Sequence, residues 1–385
     1  MDPYLLLAVA EGCEPGIVSA LLDPSVTPEA LLDEARAAAS AAELRGPSDV
    51  DAADADDAEP SHMALPPRVR KRLLAPDLEQ RAERWLQLAA HHDLLVLTPS
   101  DDRYPELLRE CALRPNALFV RGDPSALAAT PAIAVVGSRT PTPYGQDAAQ
   151  QFSAGLAQAG CAIWSGLARG IDAIAHRACL EATSPTVAVL ASGLDRIYPS
   201  EHAELAASIV QRGGCLVAEL PPEAAPQRGH FPRRNRILAA AESVLVVEAG
   251  RTSGSLQTAR FCAEQGRPVF AVPGPWSSER SRGCHDLMRE GAQVATDPSD
   301  LLRDLGVTAN VAPSAANSLQ ASADETAVLR CLSQGPRPAD LVQRESGLDR
   351  AQFLKARFAL ELRGALRAMP GDLLAAVSRP RDVSR

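Results

Sequence analysis

Ala132-Ile-Ala-Val-Val136 is a short apolar run that precedes an amphipathic helical pattern over Tyr144–Ala159 and a second apolar run, Cys161-Ala-Ile-Trp164. This stretch indicates the fold class, because apolar runs that alternate with helical patterns are typical of parallel strands covered by helices on both faces. The alternation continues through strand-like runs that begin at Thr186, Cys215, Ser243 and Pro268. The sequence therefore predicts an α/β fold with a Rossmann-like, doubly wound, mostly parallel sheet.

The regions on either side of this sheet predict further domains. Residues 1–90 indicate a small N-terminal helical domain, with an acidic insert at 46–61 whose composition favours disorder. The extended sheet domain spans 91–306, because two further short strands precede the first crossover. An Ala/Ser/Pro/Asn-rich linker covers 307–322. Three helical patterns and a wing-like strand within 323–385 predict a winged-helix domain, a fold that binds DNA in some proteins and protein partners in others.

Composition and charge do not by themselves reveal the partner. The chain has 385 residues and a net charge of −9, which argues against nucleic acid, but six acidic residues lie between Asp49 and Glu59 alone. From Pro131 to Thr296, 15 Arg stand against 14 Asp and Glu, so this region is close to neutral. The placement of its arginines therefore decides whether phosphate binds.

The cysteines and the apolar runs favour a cytoplasmic protein. The eight cysteines are scattered without a C-x-x-C pair, which predicts buried thiols rather than disulfides or a metal site. No apolar run approaches the ~20 residues that cross a membrane. The start Met1-Asp-Pro does not resemble a signal peptide. We therefore expect no membrane partner, no metal and no cofactor.

The basic segment Gly229-His-Phe-Pro-Arg-Arg-Asn-Arg236 lies between two strand-like runs. Each arginine presents a planar fork of N–H donors that fits phosphate oxygens. A helix that begins near Pro232 adds unpaired backbone N–H groups and a partial positive charge. The segment predicts a phosphate-binding site. The alternative is a basic turn that pairs with its neighbours, because charge runs are usually solvated surfaces.

The loops after the predicted strands share glycine, serine and arginine. In a doubly wound sheet these loops meet at one edge, where ligands bind. Glycine lets the backbone approach a phosphate, and serine supplies a compact donor. The alternative is that each glycine only relieves crowding at a strand–helix turn. Together the loops predict a rim that binds a chain of phosphates.

Motifs for other chemistries are missing or ambiguous. No G-x-G-x-x-G follows the first parallel strand, and the chain has neither a P-loop nor a G-x-S-x-G elbow. Asp172 and His176 lie one helical turn apart and mimic a metal-binding or acid–base pair. A structural role is favoured, either as a hydrogen bond on the helix surface or as a charge that complements the helix start. His230 is interpreted as packing the basic turn. The residues therefore predict no catalysis.

Several motifs, in this order, resemble the DNA-processing protein A (DprA/Smf) family over about Leu94 to Leu305. They are Ala134-Val-Val-Gly-Ser-Arg139, Ser165-Gly-Leu-Ala-Arg-Gly-Ile-Asp172, Ser192-Gly-Leu-Asp-Arg-Ile-Tyr-Pro199, Phe231-Pro-Arg-Arg-Asn-Arg236, Val247-Glu-Ala249 with Ser253-Gly-Ser-Leu256, and Ala271-Val-Pro-Gly274. The resemblance implies a cytoplasmic homodimer that binds and protects incoming single-stranded DNA. It also implies a protein that helps load the RecA recombinase during natural transformation and performs no reaction of its own.

The resemblance also implies the DNA contacts, by position in the motifs. They are Gly137, Ser138, Arg139, Ser165, Gly166, Arg169, Gly170, Phe231, Arg233, Arg234, Asn235 and Arg236, with Ser253, Gly254 and Ser255 as an addition. Phe231 or a neighbour would offer a stacking face for a base.

The chain departs from the family pattern at three places, and two other functions stay open. His285 replaces the usual Asn of a Gly-Cys-Asn turn, Gln257 replaces an aliphatic residue, and the insert at 46–61 would compete with DNA for the arginines. The first alternative is an enzyme that acts on a small nucleotide or nucleoside phosphate. The second is a scaffold whose terminal domains bind DNA.

Overall fold

A computed structural model describes residues 1–11, 27–28, 30–33, 71–111, 113–307, 322–333, 335–362, 365–369 and 371–376. The chain divides into two compact units, Met1–Val311 and Ala312–Arg385, which are described separately. The predicted acidic insert at 46–61 and almost all of the predicted linker at 307–322 lie outside the described residues. The domain boundaries given above therefore stay predictions.

A mostly parallel sheet forms the centre of the first unit, as the sequence predicted. Its order in the described residues is β1-β2-β6-β5-β4-β3-β7-β8-β9; β1 and β2 are antiparallel to their neighbours and the other pairs are parallel. The strands are β1 Leu95–Leu97, β2 Leu118–Gly122, β3 Ala132–Val136, β4 Ala162–Ser165, β5 Thr186–Leu190, β6 Cys215–Ala218, β7 Ser243–Val246, β8 Val269–Ala271 and β9 Gln293–Val294.

Helices cover both faces of this sheet. They are α1 Pro3–Glu11, α2 Leu78–His91, α3 Glu106–Arg109, α4 Ser125–Ala128, α5 Pro143–Gln158, α6 Ile171–Glu181, α7 Ala203–Gln211, α8 His230–Leu238, α9 Ser255–Glu264, α10 Arg282–Arg289 and α11 Pro298–Asp304.

Alternate residues of the buried strands point to opposite faces. Along β3, Ala132, Ala134 and Val136 pack in one core with α8, α9 and α10, whereas Ile133 and Val135 pack in a second core with α5, α6 and α11. This alternation follows from the two-residue period of a strand. Strands buried on both faces are apolar throughout, which explains why the sequence pattern located them within a residue or two.

The order of the strands creates a crevice at one edge. From β3 the chain adds β4, β5 and β6 on one side, and it then returns to place β7 on the other side of β3. The connections after β3 and β7 therefore leave the sheet toward opposite faces. In open α/β sheets, ligands bind where the strand order reverses in this way, outside the carboxyl ends of the strands.

The N-terminal helices pack on the antiparallel end of the sheet. Leu5, Leu6 and Val9 of α1 share a core with Leu78 and Ala82 of α2. The Trp85 ring meets the Phe119 ring edge to face, with centroids 5.9 Å apart. No helix among the described residues is long and apolar enough to cross a membrane.

The second unit is a winged helix, as predicted. Its helices are α12 Ala323–Cys331, α13 Ala339–Ser346 and α14 Arg350–Leu362, and its strands are β10 Arg337–Pro338, β11 Leu366–Met369 and β12 Leu373–Ala376, in the order β10-β12-β11. Val328, Val342, Phe353 and Leu374 form the centre of its core. Ser322 and Glu325 form a capping box that fixes the start of α12.

Candidate nucleic-acid interface

A cleft of about 760 Å³ opens at the carboxyl edge of the sheet, between the loops that follow β3 and β7. The basic segment forms one wall as the first turns of α8, which begins at His230, two residues before the expected start. Lining residues from the predicted set are Gly137, Ser138, Arg139, Phe231, Arg234, Asn235, Ser253, Gly254 and Ser255. The fold therefore brings together loops that are more than a hundred residues apart in sequence.

Glycines let three of these loops pack against one another. The Ser138 N–H donates to the Glu248 carbonyl at 2.7 Å, and the Ile171 N–H donates to the Ser138 carbonyl at 3.1 Å. A Cβ at Gly137 would lie 2.7 Å from Ile171 Cγ1, and one at Gly170, where φ is +77°, would collide with the Ser138 carbonyl. These two glycines therefore relieve crowding, and the backbone N–H and carbonyl of Ser138 are both engaged within the protein.

The start of α5 is already occupied by a carboxylate. Glu248 is buried, and its carboxylate accepts from the Thr142 N–H at 3.1 Å and from the Thr142 hydroxyl. The Thr142 hydroxyl in turn accepts from the Gly145 N–H at 3.1 Å and caps the helix. Because an acidic side chain complements the positive end of a helix, this helix start is not available to a phosphate.

The rim of the cleft carries a cation and two aromatic rings in contact. The Arg139 guanidinium lies 5.2 Å from the centre of the Phe231 ring, within the range of a cation–π interaction. Phe231 meets Tyr198 edge to face, with centroids 6.0 Å apart. A shallow pocket next to the cleft is lined by these three side chains together with Arg169 and Ser192. Such a group offers a base a stacking surface beside a charge for its phosphate.

Four of the predicted contact residues have buried side chains with partners inside the protein, and one of them, Asn235, donates from its amide to the Gly254 carbonyl at 3.2 Å. Ser165 donates from its hydroxyl to the Val135 carbonyl at 2.7 Å. Arg234 donates to the Val189 carbonyl at 2.5 Å. Arg236 forms an ion pair with Glu219. The remaining arginine of the basic segment, Arg233, is half-buried and lines a small cavity behind α8.

Asp172 and His176 do not form a pair. The Asp172 carboxylate accepts from the Gly166 N–H at 3.1 Å and the Ala168 N–H at 3.4 Å, so it fixes the loop after β4. Burial raises the pKa of Asp172, and the Arg234 guanidinium opposes that rise. His176 Nδ1 lies 2.9 Å from the Thr186 hydroxyl oxygen, which donates to the Ile163 carbonyl. Burial lowers the pKa of His176 to about 3.

Burial also shifts the pKa of Arg234 and of His230, two further ionisable groups near the rim. It lowers the pKa of the Arg234 guanidinium to about 10, against the attraction of Asp172. Burial lowers the pKa of His230, and repulsion from the Arg233 guanidinium lowers it further. His230 is buried at the start of α8, where it packs the basic segment, as its position in the sequence indicated. Among the described residues, no group of three or more His, Cys, Asp and Glu side chains could hold a metal ion.

Two further arginines that were not predicted from the sequence line the cleft. Arg228 lies one residue before the basic segment and lines the cleft with an exposed side chain. Arg280 lines it from the loop between β8 and α10 and donates to the Thr140 hydroxyl at 2.7 Å. Arg169, which was predicted, is exposed but paired with Glu201. Adjacency to the basic segment would have identified Arg228, whereas Arg280 reaches the cleft only through the tertiary fold.

The second wall of the cleft begins at α9. The hydroxyls of Ser253 and Ser255 lie 2.7 Å apart, and the Asn235 amide donates to the Gly254 carbonyl at 3.2 Å. Gln257, one of the departures from the family pattern, also lines the cleft. His285, another departure, contacts the Gly274 carbonyl through Nε2 at 3.0 Å. The polar residues of this wall are thus held by one another.

Comparison with known proteins agrees with this architecture. A family model described as DNA recombination-mediator protein A matches residues 95–306, and a DprA winged helix domain model matches 312–372. Protein Smf from Escherichia coli is 40% identical over 296 residues, which are 74% of this chain and 78% of that protein. DNA processing protein DprA from Bacillus subtilis is 35% identical over 62% of this chain and 81% of that protein.

Two solved structures share the fold. DNA processing protein A from Streptococcus pneumoniae superposes with a TM-score of 0.53 at 35% identity. The matched region is 61% of this chain and 85% of the Streptococcus chain. DNA processing protein A from Helicobacter pylori superposes with a TM-score of 0.50 at 28% identity. The matched region is 55% of this chain and 95% of the Helicobacter chain. That structure concerns the single-stranded DNA binding mode of the Helicobacter protein. The motifs, the fold and these similarities agree, and the chain belongs to the DNA recombination-mediator protein A (DprA/Smf) family.

Proposed function

We propose that this protein binds single-stranded DNA along the cleft, with exposed arginines on the phosphates and a base stacked against the aromatic pair. The observation that carries the proposal is the contact of Arg139 with Phe231, which in turn meets Tyr198 at the rim. An aromatic face beside a cation is the arrangement that binds single strands without reading their sequence. The Helicobacter relative binds single-stranded DNA, which supports a single strand as the ligand.

The distribution of charge favours a strand over a single nucleotide. The exposed arginines Arg139, Arg228 and Arg280 line the cleft from three different loops. Of the two groups that mimic an acid–base pair, His176 is fully buried beside Thr186, and Asp172 lines the cleft with its carboxylate engaged by the Gly166 and Ala168 N–H groups. An enzyme that acts on a small nucleotide would need an acid or base that is free to exchange a proton with its substrate. We therefore propose a binding protein without a reaction of its own.

The dependence of affinity on oligonucleotide length tests this proposal. A groove gains affinity as nucleotides are added, whereas a nucleotide pocket saturates at a single nucleotide. We expect affinity for oligo-dT to rise with length over roughly 4 to 16 nucleotides and to fall in Arg139→Ala. Arg303→Ala, at an exposed arginine that does not line the cleft, is the matched control. Affinity that is independent of length would favour the nucleotide enzyme.

We further propose that the protein transfers its single strand to the RecA recombinase, as a homodimer in the cytoplasm, during DNA uptake by natural transformation. The description of the family as a recombination mediator supports this role. It predicts that sub-stoichiometric amounts of the protein accelerate the assembly of recombinase filaments on single strands covered by a single-strand-binding protein. The Arg139→Ala variant should lose this acceleration. An unchanged rate of assembly with the wild-type protein would contradict the role in loading.

A further inference from the structure

Trp276 is the most exposed large apolar side chain among the described residues, with 80% of its surface accessible. Tryptophan is usually highly buried, and an exposed indole on an anchored loop suggests a contact surface. The residue lies on the loop that follows β8, between Pro273 and Arg280. This loop leaves the same carboxyl edge of the sheet as the loops of the cleft, because β8 is parallel to β7.

The loop that carries Trp276 is anchored at both ends. The Tyr144 hydroxyl donates to the Pro273 carbonyl at 2.6 Å, and His285 Nε2 contacts the Gly274 carbonyl at 3.0 Å. Beyond the tryptophan, the Ser281 N–H donates to the Ser278 carbonyl at 3.1 Å. A base that stacks on this indole would therefore meet a surface whose backbone is already ordered, which reduces the entropy cost of binding.

The same loop supplies a cation to the cleft. Arg280 lines the cleft and donates to Thr140, next to Arg139. The loop also carries an acidic residue, Glu279. Its negative charge is offset by Arg282, whose Nε lies 3.6 Å from the Glu279 carboxylate. Strand β8 is two strands from β3, or about 10 Å at the usual spacing of strands. Arg280, four residues after Trp276, therefore brings a cation of the cleft onto the loop that carries the indole.

We propose that Trp276 is a second stacking surface, which receives a base of the single strand after the strand has passed Arg280. This inference rests on the proposed binding of single-stranded DNA and adds a site to it. The first surface, at Phe231 and Tyr198, holds a base at the cleft. The second extends the bound length in one direction, so it contributes only when the oligonucleotide is long enough to reach it.

Intrinsic fluorescence makes the proposal testable in the full chain. Trp164 is fully buried and Trp85 packs against Phe119, so Trp276 is the tryptophan that a bound base can reach. We expect long oligo-dT to quench the fluorescence of the wild type. Trp276→Phe should bind with nearly unchanged affinity but without most of the quenching. Trp276→Ala should weaken binding of long oligo-dT by about 5- to 150-fold, the range for one base–aromatic stack.

The controls separate this inference from the function on which it rests. Leu86→Ala, at another exposed apolar residue, should leave binding unchanged. If the wild type binds oligo-dT and Trp276→Ala binds it equally well, the second stacking surface is wrong and the proposed function stands. If the wild type binds no oligo-dT, both are wrong. If Trp276→Ala changes only the sedimentation coefficient, the indole is a contact between protein copies and the inference is overturned.

Discussion

Arg236 and Glu219 form an ion pair inside the protein, with only 6% and 8% of their side chains exposed. Burial raises the pKa of Glu219, and the Arg236 guanidinium opposes that rise. The last arginine of the basic segment therefore faces the core, while Phe231 at its start faces the cleft. One helix thus serves both stability and binding, and substitutions along it should have different consequences.

Loss of one partner of this pair should destabilise the fold. Arg236→Ala leaves the Glu219 carboxylate buried without its cation, which typically costs about 3–5 kcal/mol. We expect urea unfolding to show a loss of this order for Arg236→Ala and little change for Arg139→Ala. The double variant Arg236→Met/Glu219→Leu removes both charges and should recover most of the stability. Equal stability of Arg236→Ala and the wild type would contradict the buried pair.

Gly166 should tolerate no side chain, because a Cβ at this position would collide with the Arg234 guanidinium. That guanidinium is held by the Val189 carbonyl and cannot move without breaking the hydrogen bond. We expect Gly166→Ala to lower the free energy of unfolding by about 1–3 kcal/mol. Gly229→Ala is the matched control, since its φ is −68° and nothing lies near its Cβ. A loss in Gly229→Ala as large as that in Gly166→Ala would contradict this explanation.

His176 should make the fold less stable in mild acid. Its pKa falls from 6.5 to about 3 in the folded protein, so the unfolded chain binds a proton that the folded protein refuses. Its contribution to stability is complete above about pH 6.5 and is lost as the pH falls toward 3. At pH 5 the loss is about 2 kcal/mol.

Unfolding as a function of pH checks this linkage. His176→Asn keeps a donor for Thr186 without the titration, so its stability should depend less on pH between 7 and 5 than that of the wild type. The raised pKa of Asp172 has the opposite effect, because it stabilises the fold as the pH falls. The quantity to compare is therefore the difference in unfolding free energy between the wild type and His176→Asn at each pH. His91→Asn, at an exposed histidine, is the control. Parallel pH profiles of His176→Asn and wild type would exclude the linkage.

The acidic insert should weaken DNA binding at low salt. Residues 49–59 carry six acidic side chains and no basic one, and they would compete with phosphates for the exposed arginines. Deletion of 46–61 should therefore raise the affinity for oligo-dT at low ionic strength and have little effect at high ionic strength. Unchanged affinity at low salt would remove this role. The prediction rests on sequence, because the insert lies outside the described residues.

The sequence revealed the fold better than the site. Strands such as β3 and β5 were located to the residue because apolar runs between helical patterns have a local cause. The burial of Arg236 depends on Glu219, which lies 17 residues away and behind the helix. Tyr198 and Arg280 join Phe231 and Arg139 only through the order of the strands. Motif spacing thus predicted where the loops meet, and packing decided which side chains face out.

The salt dependence of single-strand binding shows whether the arginines of the cleft contact the phosphates of the strand. Each phosphate contact contributes about −0.7 to the slope of log affinity against log salt concentration. We expect Arg139→Ala, Arg228→Ala and Arg280→Ala each to flatten the slope for oligo-dT by about this amount, and the triple variant by about three times as much. Arg303→Ala should leave the slope unchanged. Tight binding by the triple variant with the slope of the wild type would contradict the assignment of the cleft as the DNA-binding site.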